Sequence, residues 1–218
     1  MVDFVRPKTA QEAVLDELRR MVVTGELPPG SPLRQEAIAR DFGVSRVPVR
    51  EALRILEGEG KVRHTAHQGY TVVRLGVPEL LEVYRLRDLL EGEAARAAVP
   101  RLGAEDLGRM RAAMDAMDQA ADAEDMLGVG SGNRAFHFAI LEPAGLPMTM
   151  RLVSQLWETT DPYRQLYFTR PITRETVNEE HQLIFDACAA RDADRTVELL
   201  RTHRAHAVAD LRALEQEW

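Results

Sequence analysis

Gly43-Val44-Ser45-Arg46-Val47-Pro48-Val49-Arg50-Glu51-Ala52-Leu53 decides how the N-terminal part of this chain folds. Gly43-Val44 makes a tight connection, Ser45 is a favourable helix N-cap, and Pro48 falls in the first helical turn, where no backbone N–H is required. Val49, Ala52, Leu53 and Leu56 then recur at helical spacing up to a stop near Gly58 to Gly60. Upstream, a short helix is predicted from Arg34 to Phe42, with Ile38, Ala39 and Phe42 apolar. Before it, Leu27-Pro28-Pro29-Gly30-Ser31-Pro32 reads as a turn-rich loop. Further upstream, Thr9-Ala10-Gln11-Glu12 is a capping box that opens a helix carrying Val14, Leu15, Leu18, Met21 and Val22. Downstream, two β-like runs, Lys61 to Thr65 and Tyr70 to Val73, flank Ala66-His67-Gln68-Gly69. Helix, helix, short turn, helix, hairpin is the order of a winged helix-turn-helix, whose third helix enters a DNA major groove. Arg46 and Arg50 are four apart, hence on one face, and arginine is suited to bidentate contact with guanine. The plainer alternative is a small helical domain with a solvated basic face.

The chain has 218 residues, enough for one large domain or two small ones. With 45% hydrophobic and 29% charged residues it can build a core, which excludes a disordered chain or a coiled-coil rod. No apolar run approaches the ~20 residues that a membrane helix needs, and the polar N-terminus shows no signal-peptide pattern. A single cysteine, Cys188, excludes an intrachain disulfide and a Cys-based zinc finger. A reduced, cytoplasmic protein is expected. The net charge of −7 conceals an asymmetry: residues 1–76 hold 12 Lys and Arg against 10 Asp and Glu, and the remainder 16 against 25. A basic N-terminal module joined to an acidic one suggests that only the first sits near phosphates.

The domain division expected is 1–74 for the winged helix-turn-helix, 75–77 for a linker (Leu75-Gly76-Val77) and 78–218 for an all-α bundle of six or seven helices, making the chain mainly α. The bundle helices are predicted from Leu80 to about Pro100, around Leu107 to Met117, from Asn133 to Leu141, Met148 to Phe168, Glu175 to Ala190 and Asp192 to about Glu217. Asn133, Phe136, His137 and Ile140 share a face, and so do Val177, His181, Ile184 and Cys188. On the last helix Val197, Leu200, Arg204, Ala207, Leu211 and Leu214 form an a/d stripe. At the helical turn of ~100° per residue, His203 lies roughly 70° from the centre of that stripe and His206 roughly 130°. His203 can reach inward while His206 faces solvent. His64 and His67 belong to the wing, as surface or phosphate contacts. Each inward histidine alone could be a core residue bonded to backbone. Three of them with an inward amide, on three helices, are costly unless they bind something, and imidazoles with one oxygen donor suit a divalent transition metal.

Two resemblances make this specific. Leu27-Pro28-Pro29-Gly30-Ser31, the stretch from Gly43 to Leu53, and Leu56-Glu57-Gly58-Glu59-Gly60 together resemble the GntR family of bacterial transcription regulators. The resemblance implies that Arg46, Val47 and Arg50 lie on the recognition helix, begun by Ser45, and that Gly69 lies at the wing tip. Many relatives carry Arg at the position of Glu36; here Arg34 could substitute, or the operator could differ. Asn133-Arg134-Ala135-Phe136-His137, Glu180-His181 and His203, with Tyr84, Arg87 and Glu91 on the first bundle helix, resemble the FCD effector domain of the FadR branch of that family. This implies a metal site of Asn133, His137, His181 and His203, with zinc foremost among the divalent ions. It implies a small organic acid as effector, with Arg87, Tyr84, Arg134 and Arg151 as candidate carboxylate partners; for Arg87 the competing role is a salt bridge to Glu91.

The function expected is therefore a dimeric, ligand-responsive regulator that binds double-stranded operator DNA, senses a carboxylate effector, and neither catalyses a reaction nor enters a membrane. The rivals are a metal-dependent hydrolase using the three histidines and a regulator for which the metal itself is the signal. Glu179 and Glu180 are expected off the His181 face, which leaves the hydrolase without a clear general base.

Overall fold

Residues 8–167 and 171–215 are described by a computed structural model, and backbone contacts divide the chain into two units, Met1–Leu75 and Gly76–Trp218. In the first unit α1 (Ala10–Val23) opens on the expected capping box. The Glu12 N–H donates to Thr9 Oγ1 at 3.2 Å, and the Thr9 N–H donates to the Glu12 carboxylate at 2.7 Å. The helix buries Val14, Leu15, Leu18 and Val22 against α3 (Arg46–Gly58), which contributes Val49, Ala52, Leu53 and Leu56. Between them lies α2 (Gln35–Asp41). Ser45 does occupy the N-cap position of α3, but its hydroxyl makes no capping hydrogen bond.

The sheet has one strand more than the sequence signalled. Besides β2 (Val62–Thr65) and β3 (Gly69–Val72), residues Pro32–Leu33 form β1, and the order is β1-β3-β2, all antiparallel. A two-residue strand is too short to show alternation, and Pro32 fits only because it opens an edge strand, where its missing N–H costs no ladder bond. Gly30, at φ +87°, turns the chain so that its N–H reaches the Val72 carbonyl at 2.9 Å. In the β2–β3 turn His67 adopts φ +67° and Gly69 φ +85°. Gly69 opens β3 opposite Thr65, so the tip itself is made by Ala66, His67 and Gln68.

The described residues of the second unit form six α-helices: α4 (Val77–Ala98), α5 (Ala104–Asp122), α6 (Met126–Leu141), α7 (Pro147–Tyr167), α8 (Pro171–Ala189) and α9 (Ala193–Glu215). Two 3-10 turns, Val99–Arg101 and Glu142–Ala144, follow α4 and α6. The expected helix ends at Phe168 and Glu217, and the side chains of Ala207, Leu211 and Leu214, lie outside what is described.

The main departure from expectation is at α6, which begins at Met126 rather than Asn133. Gly128, Gly130 and Gly132 mask its periodicity, since glycine is a poor helix former. Two of them are there for packing. A Cβ on Gly132 would lie 2.6 Å from Met117 Cγ and 3.1 Å from the Ala113 carbonyl oxygen, and one on Gly128 would lie 2.7 Å from Ala120 Cβ. The two helices thus approach closely, and Asp125 caps α6 by accepting the Gly128 N–H at 3.0 Å. The core of the unit gathers Trp157, Phe136, Met110, Ile140, Ile184 and Leu200, each at most 1% exposed.

Candidate ligand site and nucleic-acid interface

Arg34, Ser45, Arg46, Val47 and Arg50 are all exposed, and Gly69 is half-buried next to the wing tip. Val47 is 56% exposed on the first turn of α3. Arg46 is not a lone cation: its Nη2 lies 2.8 Å from the carboxylate of Glu36 on α2. Glu36, at the position where the resemblance notes a departure, thus pairs with an arginine expected on the recognition helix. Arg50 sits 3.2 Å from its neighbour Glu51.

In the second unit α6 supplies Asn133 and His137, α8 supplies His181, and α9 supplies His203. One ring nitrogen from each histidine lies within 4.8 Å of the others. Ring centroids are 5.4 Å apart for His137 and His181, 5.2 Å for His137 and His203, and 4.9 Å for His181 and His203. Exposure is 3%, 0% and 8% for His137, His181 and His203, so the inward phase expected for all three holds. Phe136 packs 4.5 Å from the His181 ring and Trp157 5.1 Å from the His137 ring.

Asn133 is wholly buried, yet neither its Oδ1 nor its Nδ2 has a hydrogen-bond partner. An unmet buried donor or acceptor costs about 1–3 kcal/mol, and a ligand to Oδ1 would offset the acceptor's share of that cost. Three imidazoles and an amide oxygen are a donor set that fits a borderline divalent ion.

Next to the histidines lies a buried ion network. Arg87 donates from Nε to Glu91 at 2.7 Å and stacks over Trp157 with its Cζ 4.1 Å from the ring centroid. Glu91 also accepts from Trp157 Nε1 at 2.8 Å and from Arg204 Nη1 at 2.9 Å. Burial alone would push the Glu91 carboxyl up, but Arg87 and Arg204 hold it below the ordinary carboxylate value. The competing role foreseen for Arg87 is therefore present. Tyr84, 5% exposed, lies with its ring 5.2 Å from the Arg87 guanidinium, and its hydroxyl has no hydrogen-bond partner. Arg134 is engaged elsewhere, with Ser154 at 2.7 Å and Asp161 at 3.6 Å, and Arg151 is exposed beside Met148.

Glu180 does lie off the His181 face, but it is not remote from the cluster: its Oε2 is 2.5 Å from His203 Nδ1, and its Oε1 meets His206 Nδ1. Helical phase within α8 could not reveal this, because both partners belong to α9. His206 is 52% exposed, in line with its outward phase.

The chain matches two family profiles, the one described as bacterial regulatory proteins, gntR family, over residues 10–72, and the FCD domain over residues 82–206. It is 30% identical over 217 residues to BphR of Paraburkholderia xenovorans, an uncharacterized HTH-type transcriptional regulator, covering 97% of this chain and 89% of that one. With McbR of Escherichia coli, an HTH-type transcriptional regulator, it shares 30% identity over 183 residues, 83% of each. The solved structure of E. coli McbR/YncC superposes with a TM-score of 0.82 at 26% identity, over 96% of this chain and 100% of that one. A GntR regulator from Rhodococcus sp. RHA1 gives 0.82 at 26% identity, over 94% and 99%. The chain belongs to the gntR family of bacterial regulatory proteins, in the FadR-like group with a C-terminal FCD domain, and is a transcriptional regulator with a DNA-binding winged helix. Among its described residues no helix is long and apolar enough to cross a membrane.

Proposed function

We propose that this regulator acts in the cytoplasm as a homodimer on a double-stranded operator, as a repressor or activator without catalysis, and that its FCD domain senses a small carboxylate at a metal centre. The domain division 1–74, 75–77 and 78–218 is part of this reading. Arg34, Ser45, Arg46, Val47, Arg50 and Gly69 face the DNA. Asn133, His137, His181 and His203 hold a divalent ion, zinc foremost, and Tyr84 and Arg87 face the effector.

The observation that carries the reading is the convergence of three buried imidazoles, with a buried amide that lacks a partner one helical turn before His137. A bound ion supplies charge that attracts a carboxylate. The buried Tyr84 hydroxyl, which lacks a partner, can donate to that carboxylate, and Arg87 adds a cation stacked on Trp157. Effector binding then shifts the population between dimer arrangements that do or do not match the operator half-sites. The hydrolase rival is the weaker reading, because Glu180 is occupied by His203 and His206. The test is elemental analysis of protein purified without chelator, followed by operator titration with zinc alone and with zinc plus a panel of organic acids. A response to zinc alone would make the ion the signal. No ion and no response to any acid would overturn the reading.

A further inference from the structure

We propose that Glu180 is a positioning residue for the histidine cluster: by accepting the Nδ1–H of His203 it fixes that ring as the Nδ1–H tautomer and leaves Nε2 as the lone-pair nitrogen for the cluster. The proposal rests on the metal reading only for what the ring does once held; the hydrogen bond needs no ion.

Glu180 and His181 are consecutive on α8, hence about 100° apart around the helix. That single step sends His181 into the core, at 0% exposure, and the Glu180 carboxylate toward α9, with its side chain 14% exposed. There Oε2 lies 2.5 Å from Nδ1 of His203, whose own side chain is 10% exposed. A neutral imidazole has one N–H and one lone pair, and an ionised carboxylate can only accept. In a neutral His203 the nitrogen facing Glu180 therefore carries the proton and the opposite nitrogen carries the lone pair. In the other tautomer a lone pair would face a carboxylate across the same short distance. A carboxylate is ordinarily ionised at neutral pH, and both oxygens of this one face imidazole nitrogens.

The chemistry of the cluster depends on which nitrogen carries the lone pair. His203 packs against His137 at 5.2 Å with 28° between the ring planes, and against His181 at 4.9 Å. A metal ion accepts only lone pairs, so a ring presenting N–H to the cluster would block it. A carboxylate behind a ligating histidine also makes the ring a better donor, and losing such a partner lowers metal affinity by about 10–100-fold. The second carboxylate oxygen goes to His206, three residues on and half exposed. The same group thus holds two histidines of α9, only one of which joins the cluster.

A simple tie between α8 and α9 would give the same contact without setting the tautomer, so the tautomer is the readout. Long-range 15N–1H spectra of histidine-labelled, metal-free protein, with His203 assigned by H203Q, should show His203 as the Nδ1–H form. E180A should return it mainly to the Nε2–H form and weaken zinc, measured by chelator competition, ten- to a hundredfold. E180Q, whose amide oxygen can still accept, should keep the tautomer and lose less affinity. His203 found as Nε2–H in the wild type, or unchanged by E180A, overturns the proposal. The wild-type spectrum alone decides it if E180A does not fold. If the wild type takes up no zinc, the metal reading fails, while the tautomer still decides the role of Glu180.

Discussion

Arg204 of α9 and Glu91 of α4 meet at 2.9 Å, although 113 residues separate them in sequence. Their side chains are 5% and 1% exposed, and the same carboxylate accepts from Arg87 and Trp157. Two guanidiniums thus share one buried anion, which ties the first and last helices of the FCD domain. Removing one partner of a buried pair leaves uncompensated charge and costs about 3–5 kcal/mol. E91Q should destabilise the protein by that order in urea unfolding followed by circular dichroism. The pH dependence has a definite sign. The folded-state pKa of Glu91 is depressed below its ordinary value of 4.5, so the unfolded chain binds the proton first as pH falls. The contribution is complete above about pH 5 and is lost on going down through 4.5 toward the folded value. E91Q should therefore flatten the stability profile in that acidic window. An unchanged profile would contradict the ion pair.

The approach of α5 and α6 gives a paired prediction. G132A places a methyl group 2.6 Å from Met117 Cγ and 3.1 Å from a backbone oxygen, which must force the helices apart. Overpacking of this kind costs about 1–3 kcal/mol. Gly130 lies in the same helix, and a methyl group added there would meet nothing within 4 Å. G130A should be stabilising, by up to about 1 kcal/mol, through helix propensity alone. Thermal melts of the two variants should move in opposite directions.

These same glycines show what could and could not be read from sequence. The caps and apolar spacing of α1 and α3 are local, so Thr9, Glu12 and the Val49 to Leu56 stripe revealed those helices. The inward phase of His137 and His181 is likewise a property of one helix each. The start of α6 was hidden because glycine there answers to a neighbouring helix. The strand at Pro32–Leu33 was hidden because its partner is β3, far along the chain. The same cause hid Glu180, and it left open whether Arg87 would pair with Glu91, since the Trp157 and Arg204 that complete that network come from α7 and α9. Contacts between elements carry no signal in the periodicity of either one.

At the DNA interface, the Glu36 carboxylate 2.8 Å from Arg46 predicts a change of specificity as well as of affinity. R46A and R50A should each weaken operator binding by about 1–3 kcal/mol and relax selectivity at one position, if each reads a base. Glu36 cannot bind guanine acceptors or phosphate, but a carboxylate can accept from cytosine N4. E36R should therefore shift the preferred base at its position away from cytosine and toward guanine, while E36Q should raise affinity for all sequences by removing a charge that phosphates repel. Selection from a randomised operator library at fixed salt would measure both. Unchanged affinity in R46A and R50A together would show that α3 is not the reader.

The two histidines of α9 that share Glu180 should behave differently on substitution. His203 is 8% exposed and stacked on His137, with one ring nitrogen within 4.8 Å of one from each of His137 and His181. His206 is 52% exposed and touches the cluster only through the other oxygen of Glu180. H203A should remove one of three imidazoles, and with it the ion and the effector response. It should leave dimerisation and basal operator binding intact, because the residues proposed to face the DNA belong to the other unit. H206A leaves all three imidazoles and the Glu180–His203 bond in place, so metal content should stay stoichiometric. Elemental analysis of the two variants beside the wild type, each with its oligomeric state measured by sedimentation, gives the comparison. An ion that survives in H203A but is lost in H206A would mean that the outer histidine is the ligand and that α9 is rotated from the arrangement described.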